Sequence, residues 1–123
     1  MQKITLILGP AESGKTRKAY EMTSHLHKTE IVFMWAKNLN KQNYFRFAPC
    51  SENTKALVVD DLESLENLYE FYPLVNGFQV DAPMKKPFII NPKIIITSSA
   101  VTADMLPVDA SFTNRFDVIN LAK

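Results

Sequence analysis

Residues 9–16 read Gly-Pro-Ala-Glu-Ser-Gly-Lys-Thr and match the pattern G-x-x-x-x-G-K-S/T, which surrounds the phosphates of a nucleotide. The apolar run at residues 4–8 comes directly before them, so the context is a buried strand followed by a loop and a helix. Backbone N–H groups that converge at a helix N-terminus bind a dense anion well, and glycines allow the backbone to take that shape. The sequence therefore predicts a nucleotide-binding loop made of Gly9, Pro10, Ala11, Glu12, Ser13, Gly14, Lys15 and Thr16.

Two side chains of this loop have specific roles in the pattern. Lys15 supplies a mobile positive charge for the outer phosphates, and the Thr16 hydroxyl is the usual ligand of a Mg²⁺ ion that bridges them. The alternative is a glycine-rich turn that binds nothing, and the flanking strand and helix argue against it. We therefore predict ATP and Mg²⁺ as cofactors.

Two carboxylates follow the buried run at residues 56–59. In an open α/β sheet, ligands bind beyond the carboxyl ends of the strands, so Asp60 and Asp61 are expected beside the phosphate loop. We assign Asp60 to the metal ion and Asp61 to the attacking water, as a base or an orienting group. Alternatively, Asp61 caps a helix that begins at Leu62, a role for which Asp is preferred.

Small hydroxyl side chains end the next buried run, in the sequence Thr97-Ser98-Ser99. A polar side chain at this end of the sheet can hydrogen-bond the outer phosphate or the water. The alternative is a turn whose hydroxyls cap the following helix.

Arg115 precedes the last apolar run and is one of three arginines in the chain. An arginine presented to the nucleotide of a neighbouring subunit stabilises charge on the transferring phosphate. Alternatively, Arg115 pairs with Asp117 or with another surface acid.

Lys85 and Lys86 lie between two short apolar segments, at the predicted tip of a hairpin. Lysines contact nucleic-acid phosphates without reading the sequence, so the pair is a candidate DNA-binding site. Most such pairs only solvate a turn, which is the alternative.

Apolar runs alternate with helical patterns along the chain, which is typical of a parallel sheet flanked by helices. We predict a single domain over residues 1–123, with the α/β, three-layer fold of P-loop NTPases and a mostly parallel five-stranded sheet. A β-hairpin is inserted before the fourth strand. The predicted strands are 4–8, 31–35, 56–59, 93–97 and 118–121, the hairpin pairs 78–80 with 88–90, and helices cover about 14–28 and 62–72. Residues 38–53 are expected to be mostly loop, and 101–114 to contain short helical turns.

Composition excludes several classes of protein. The net charge of +1 gives no overall attraction to nucleic acid, and the single cysteine, Cys50, forms no internal disulfide. No secretory segment fits the start of the chain, and no apolar stretch is long enough for a membrane span. We expect an intracellular, soluble protein without a membrane partner, in a prokaryotic cytoplasm or inside a host cell if the chain is viral.

The order of these features resembles the superfamily 3 helicase domain of replication initiator proteins from small circular single-stranded DNA viruses and plasmids. The resemblance covers nearly the whole chain and rests on residues 9–16, 58–61, 72–74, the basic hairpin, 91–99 and 114–115. It implies an AAA+ type ATPase that works at subunit interfaces of a homo-oligomer, a hexamer in that family, with each hairpin tracking single-stranded DNA during replication. A partner replication protein is the other expected contact.

The resemblance also assigns residues and shows departures. Lys15 and Thr16 match the phosphate and Mg²⁺ residues, Asp60 and Asp61 match the acidic pair, Arg115 matches the finger, and Lys85 or Lys86 matches the hairpin lysine. Ser99 stands where the family usually has a sensor asparagine, and serine needs a bridging water to reach a phosphate. The sequence opens on the first strand, without the family's nicking domain and oligomerising helices, so we expect this chain alone not to assemble a full motor.

Two other functions stay open at this stage. A small nucleotide or metabolite kinase would share the phosphate loop, but such enzymes need several lid arginines, and three scattered arginines argue against it. A non-catalytic module, in which nucleotide orders a partner-binding surface, is the second alternative.

Overall fold

The computed structural model describes residues 2–39 and 42–122. Within these residues the chain forms seven strands: β1 (Ile4–Leu8), β2 (Ile31–Trp35), β3 (Ala56–Asp60), β4 (Phe78–Val80), β5 (Phe88–Ile90), β6 (Lys93–Ser98) and β7 (Phe116–Asn120). Five of them form a parallel sheet in the order β2, β3, β6, β1, β7, and β4 pairs with β5 as an antiparallel hairpin. The predicted five-stranded sheet and the hairpin before its fourth strand are confirmed.

Helices cover both faces of the sheet. They are α1 (Lys15–Met22), α2 (Leu65–Tyr69) and α3 (Ala110–Thr113), with 3₁₀ turns at Lys28–Glu30, Ala36–Asn38, Tyr72–Asn76 and Ala103–Met105. Every helix in the described segments is too short or too polar to cross a lipid bilayer.

The two faces of the sheet bury different amounts of apolar surface, because strand side chains alternate between them. On one face, Leu6, Val59 and Ile96 belong to a large core that includes Leu68 of α2 and Phe112 of α3. On the other face, α1 covers a small core in which its Ala19 packs with three strand residues, Ile7, Val58 and Ile95. The chain is therefore a three-layer α/β structure with one thick and one thin layer.

Helix α1 ends at Met22, although the apolar spacing predicts a helix to about residue 28. The Thr23 hydroxyl donates to the carbonyl of Ala19, and the Ser24 hydroxyl donates to the carbonyl of Glu21. Such local bonds compete with the helical ladder. A separate 3₁₀ turn then follows, with His27 and Glu30 forming a capping box.

Helix α2 begins at Leu65 rather than at Leu62. The amide of Leu62 donates to the carbonyl of Thr97, so the chain follows the end of the sheet for a few residues after β3. Ser64 caps the helix by accepting a hydrogen bond from the amide of Asn67. Asp61 is therefore not the capping residue.

Candidate nucleotide site

At two positions of the loop after β1, a residue other than glycine would be crowded or strained. A Cβ at Gly9 would lie 2.4 Å from the Ser13 Oγ and 3.1 Å from the Leu121 Cβ. Gly14 has φ of +95°, in the left-handed region where other residues are strained. The two glycines thus let residues 9–14 curl tightly before α1 begins.

The N-terminus of α1 is open to an anion. Its cap residue, Gly14, has no side chain, so no side-chain cap accepts from the amides of the first helical turn. The Ser13 Oγ is buried and has no hydrogen-bond partner among the described residues. Free amides and a hydroxyl donor at one helix end suit phosphate oxygens.

Lys15 and Thr16 begin this helix. The Lys15 ammonium donates to the carbonyl of Pro10 at 2.8 Å, so its side chain folds back across the loop. Because a carbonyl carries only a partial charge, the ammonium would gain by exchanging it for a phosphate oxygen. Thr16 is exposed in the first turn, where its hydroxyl is open to a metal ion.

Asp60 ends β3, and its carboxylate is held by the neighbouring strand. The Thr97 hydroxyl donates to Asp60 Oδ1 at 2.5 Å and accepts from the amide of Asp61 at 3.1 Å. In the described part of the chain, Asp60 Oδ2 makes no hydrogen bond. One oxygen of this half-buried carboxylate is fixed, and the other is available to a ligand.

The sequence did not single out Thr97 as a partner of Asp60. Val59 lies opposite Ile96 in the register of β3 and β6, so the next residues, Asp60 and Thr97, are neighbours across the two strands. The contact could be predicted from the hydroxyl residue that follows Ile96, but only if β3 and β6 were already known to be neighbouring strands.

The phosphate loop and Asp60 lie at the same edge of the sheet. β6 lies between β1 and β3, and Leu8 is opposite Ser98. Strands are spaced about 4.8 Å apart, so the ends of β1 and β3 are about 10 Å apart. That separation accommodates a phosphate and a hydrated metal ion.

Ser98 and Ser99 have different surroundings. The buried Ser98 hydroxyl donates to the carbonyl of Leu62 at 2.6 Å and accepts from the amide of Val101, so it holds two loops together. Ser99 is exposed and lines a cavity of about 520 Å³ together with Gly9, Pro10 and Asn120. The structure therefore places Thr97 against the acidic pair, and Ser99 on the side of the loop that faces β7.

Arg115 lies at the opposite end of the sheet, where the strands begin. It precedes Phe116, which pairs with Ile4 at the start of β1, whereas the loop follows Leu8. Five strand residues separate the two ends, or about 16 Å. Arg115 is thus distant from the phosphate loop of its own chain.

The Arg115 side chain has specific contacts but no acidic partner among the described residues. Its Nη1 donates to the carbonyl of Ser111 at 2.7 Å, and its guanidinium lies 5.3 Å from the centre of the Tyr72 ring. Asp117 pairs instead with Lys3 at 3.7 Å. Burial, the largest effect, raises the pKa of the Tyr72 hydroxyl, so a neutral ring faces the cation.

Lys85 and Lys86 are exposed in the loop that connects β4 and β5. Gly77 opens the hairpin with φ of +100°, and a Cβ there would lie 2.9 Å from the carbonyl oxygen of Ile90. Both lysines line a groove of about 490 Å³ that also contains Glu52, Asn53 and Phe88. They are displaced from the nucleotide loop and presented at a tip.

Comparison with known proteins identifies the fold. No family profile and no curated protein matches the sequence. Among solved structures, the chain is similar to the C-terminal region of NrS-1, with TM-score 0.65 and 16% identity over 98% of this chain. It is also similar to the JCV helicase, with TM-score 0.68, 13% identity and 98% coverage. A RuvB mutant from Thermotoga maritima gives TM-score 0.58, 24% identity and 98% coverage.

The chain therefore has an α/β fold of the P-loop NTPase type. It spans 29%, 36% and 38% of the NrS-1, JCV helicase and RuvB chains, respectively. At these identities, the likeness establishes the fold alone.

Proposed function

We propose that this chain is an ATPase domain of superfamily 3 helicase type, which binds ATP with Mg²⁺ and engages single-stranded DNA during replication. The observation that carries the proposal is the carboxylate of Asp60. Thr97 holds it by a hydrogen bond at the same end of the sheet as the phosphate loop. A loop that only turned the chain would not require a carboxylate in this place.

The residues fit ATP and Mg²⁺. Any Cβ at Gly9 would crowd the Ser13 side chain inside the loop. The Ser13 hydroxyl is a buried donor without a partner in the described segments. Thr16 and Asp60 would hold the metal through oxygen atoms, the ligands that Mg²⁺ prefers. The ion would supply positive charge that offsets the negative charge of the phosphates.

The chain's own groups account for the remaining chemistry. Lys15 would orient the outer phosphates, and Asp61, exposed beside Asp60, would align a water and accept its proton. Ser99 is kept as a candidate contact to the phosphate or the water. Arg115 would act on the nucleotide of a neighbouring copy, because it lies at the end of the sheet opposite the phosphate loop of its own chain.

The positions of the arginines favour hydrolysis over transfer to a small acceptor. Arg46 lies over the ring of Phe47, and Arg115 over that of Tyr72, while Arg17 pairs with Glu21 on α1. A kinase lid closes several arginines over the phosphates, and these contacts supply no such cluster.

The test is phosphate release from ATP with Mg²⁺, with and without single-stranded DNA. We expect Lys15→Ala to abolish release, and Lys18→Ala, a matched change one turn further along α1, to retain it. Lys85→Ala with Lys86→Ala should remove only the stimulation by DNA. Transfer of phosphate to a small acceptor would identify a kinase, and tight binding without turnover would identify a non-catalytic module.

A further inference from the structure

A cluster of aromatic side chains lies at the end of the sheet where the strands begin. The rings of Phe112 and Phe116 are stacked 4.7 Å apart, centre to centre, and the Tyr72 ring lies 5.4 Å from that of Phe116. Tyr69 completes the cluster, with its ring 5.3 Å from that of Tyr72. Phe112 and Phe116 belong to the large core and Tyr72 packs against it, so the cluster has a fixed base.

Arg115 packs its side chain against this cluster. Its guanidinium lies 5.3 Å from the centre of the Tyr72 ring, and its Nη1 donates to the carbonyl of Ser111 at 2.7 Å. Its Nε is buried and has no hydrogen-bond partner among the described residues. The bond to Ser111 is thus the one hydrogen bond that this guanidinium makes within residues 2–39 and 42–122, which leaves other N–H groups for an anion.

The two groups that hold Arg115 carry no net charge. Burial, the largest effect, raises the pKa of the Tyr72 hydroxyl, so the ring is neutral at neutral pH. The nearest acids along the chain have other partners, since Asp117 pairs with Lys3 and Asp109 caps the N-terminus of α3. A carboxylate partner would offset the charge of the guanidinium. A ring face and a carbonyl fix its place and leave that charge available.

Tyr72 is itself held firmly by its own segment. It begins the 3₁₀ turn Tyr72–Asn76, in which Pro73 fixes the backbone torsion φ. Leu74 and Val75 of the same turn are buried in the large core. The Tyr72 ring is therefore a rigid support for a long side chain that would otherwise sample many rotamers.

We infer that Tyr72 is a positioning residue for Arg115, and that its ring holds the guanidinium ready for the nucleotide of a neighbouring copy. The inference rests on the proposed function, in which that nucleotide is the anion that Arg115 meets. A side chain that is already ordered loses less freedom when it contacts the transferring phosphate. Because Tyr72 acts through Arg115 and lies away from the phosphate loop of its own chain, it should affect turnover and leave ATP affinity unchanged.

The first test measures turnover stimulated by single-stranded DNA, together with affinity for a non-hydrolysable ATP analogue. We expect Tyr72→Leu to lower stimulated turnover about tenfold and to leave the affinity unchanged. Tyr72→Phe should retain turnover, because the ring face and not the hydroxyl attracts the cation. Tyr69→Leu is the matched control, since it removes a ring of the same cluster that makes no contact with Arg115 in the described part of the chain, and it should have no effect.

A fluorinated phenylalanine at position 72 separates the attraction from the packing. It keeps a ring in place but withdraws negative charge from the face of that ring. We expect stimulated turnover to fall nearly as far as in Tyr72→Leu, while the urea midpoint stays close to that of Tyr72→Phe. This variant keeps the test valid if Tyr72→Leu fails to fold.

Mixing experiments show which group Tyr72 acts through. A Tyr72→Leu copy has an intact loop, which can face the well-placed arginine of a Lys15→Ala copy. This mixture should therefore be more active than the average of its parts. A mixture of Tyr72→Leu with Arg115→Ala should stay at that average, because neither copy supplies a positioned arginine.

The outcomes distinguish this inference from the proposed function. If the parent chain hydrolyses ATP in a way that needs Arg115, and Tyr72→Leu or the fluorinated variant turns over like the parent, the inference alone is wrong. It is also wrong if Tyr72→Leu lowers ATP affinity or is not rescued by Lys15→Ala. A parent chain without turnover would contradict the proposed function, and the inference with it.

Discussion

The Thr97 hydroxyl donates a hydrogen bond of 2.5 Å to Asp60 Oδ1, and in this way joins β6 to the last residue of β3. The same oxygen accepts from the amide of Asp61, so one buried side chain fixes both acidic residues. Thr97 is 1% exposed, so its hydroxyl has no access to water as an alternative partner. We regard Thr97 as a positioning residue for the acidic pair.

Thr97→Val tests this relationship, because it keeps the shape of the side chain and removes the hydroxyl. We expect ATP turnover to fall about 10- to 100-fold through misplacement of Asp60, with ATP affinity little changed. Stability should fall by about 1–3 kcal/mol, since the Asp61 amide loses its acceptor. Urea unfolding, measured alongside the kinetics, checks that the variant is folded under the assay conditions.

Ser99→Ala is the control for that experiment. If it leaves turnover nearly unchanged, the Thr97 hydroxyl is the one that matters at this strand end. Should Ser99→Ala abolish turnover while Thr97→Val changes stability only, the assignment of Ser99 from the sequence would hold and Thr97 would be structural.

A substitution at Gly9 tests the loop, and a second substitution at Ser13 should reverse part of its effect. A Cβ at this position would lie 2.4 Å from the Ser13 Oγ, so we expect Gly9→Ala to weaken ATP binding by about 1.4 kcal/mol or more, which is tenfold. Adding Ser13→Gly removes that side chain and should restore part of the affinity. Calorimetric titration with a non-hydrolysable ATP analogue measures both.

A second glycine serves as the comparison. Gly77→Ala strains the hairpin, where the new Cβ would meet the Ile90 carbonyl at 2.9 Å, and should lower stability without changing ATP affinity. Equal effects of Gly9→Ala and Gly77→Ala on affinity would mean that the loop after β1 does not hold the nucleotide.

The sequence predicts those parts of the structure that local patterns determine. The apolar run at residues 31–35 is the observed β2, and the hairpin pairs the predicted segments. The predicted end of α1 was wrong because Thr23 and Ser24 bond to backbone carbonyls, a local competition that apolar spacing does not register. The contact between Asp60 and Thr97 joins residues 37 apart, and it depends on the order of the strands in the sheet.

Substitutions at Asp61 and Ser64 should distinguish a catalytic role from a role in helix capping. Asp61 has φ of +67° and caps no helix, whereas Ser64 caps α2. We expect Asp61→Asn, which tolerates this backbone, to change stability by less than about 0.5 kcal/mol and to reduce turnover about 10²- to 10⁴-fold. Ser64→Ala should lower stability by about 1 kcal/mol and leave turnover unchanged. The reverse pattern, measured by urea unfolding and phosphate release, would return Asp61 to a structural role.

Arg115 should be required by a neighbouring copy and not by its own chain. We expect Arg115→Ala to lose DNA-stimulated turnover by about 10³-fold or more and to keep ATP affinity. Mixing it with Lys15→Ala should recover part of the activity, because the loop of an Arg115→Ala copy can then face the intact arginine of a Lys15→Ala copy. Arg46→Ala is the control arginine change. Loss of ATP affinity alone, or a mixture as inactive as its parts, would contradict the assignment.

Cys50 should make stability sensitive to alkaline pH. Burial raises the pKa of its thiol from 9.0 to about 11, so the folded chain holds this proton more tightly than the unfolded chain does. The stabilisation is fully present below the unfolded pKa, and it is lost as pH rises through 9.0 towards about 11, because the unfolded thiol ionises first. We expect the free energy of unfolding in urea to fall more between about pH 8 and about pH 10 for the parent chain than for Cys50→Ala. Since the two proteins differ only at residue 50, parallel pH profiles would show that the Cys50 thiol is not shielded in the folded chain.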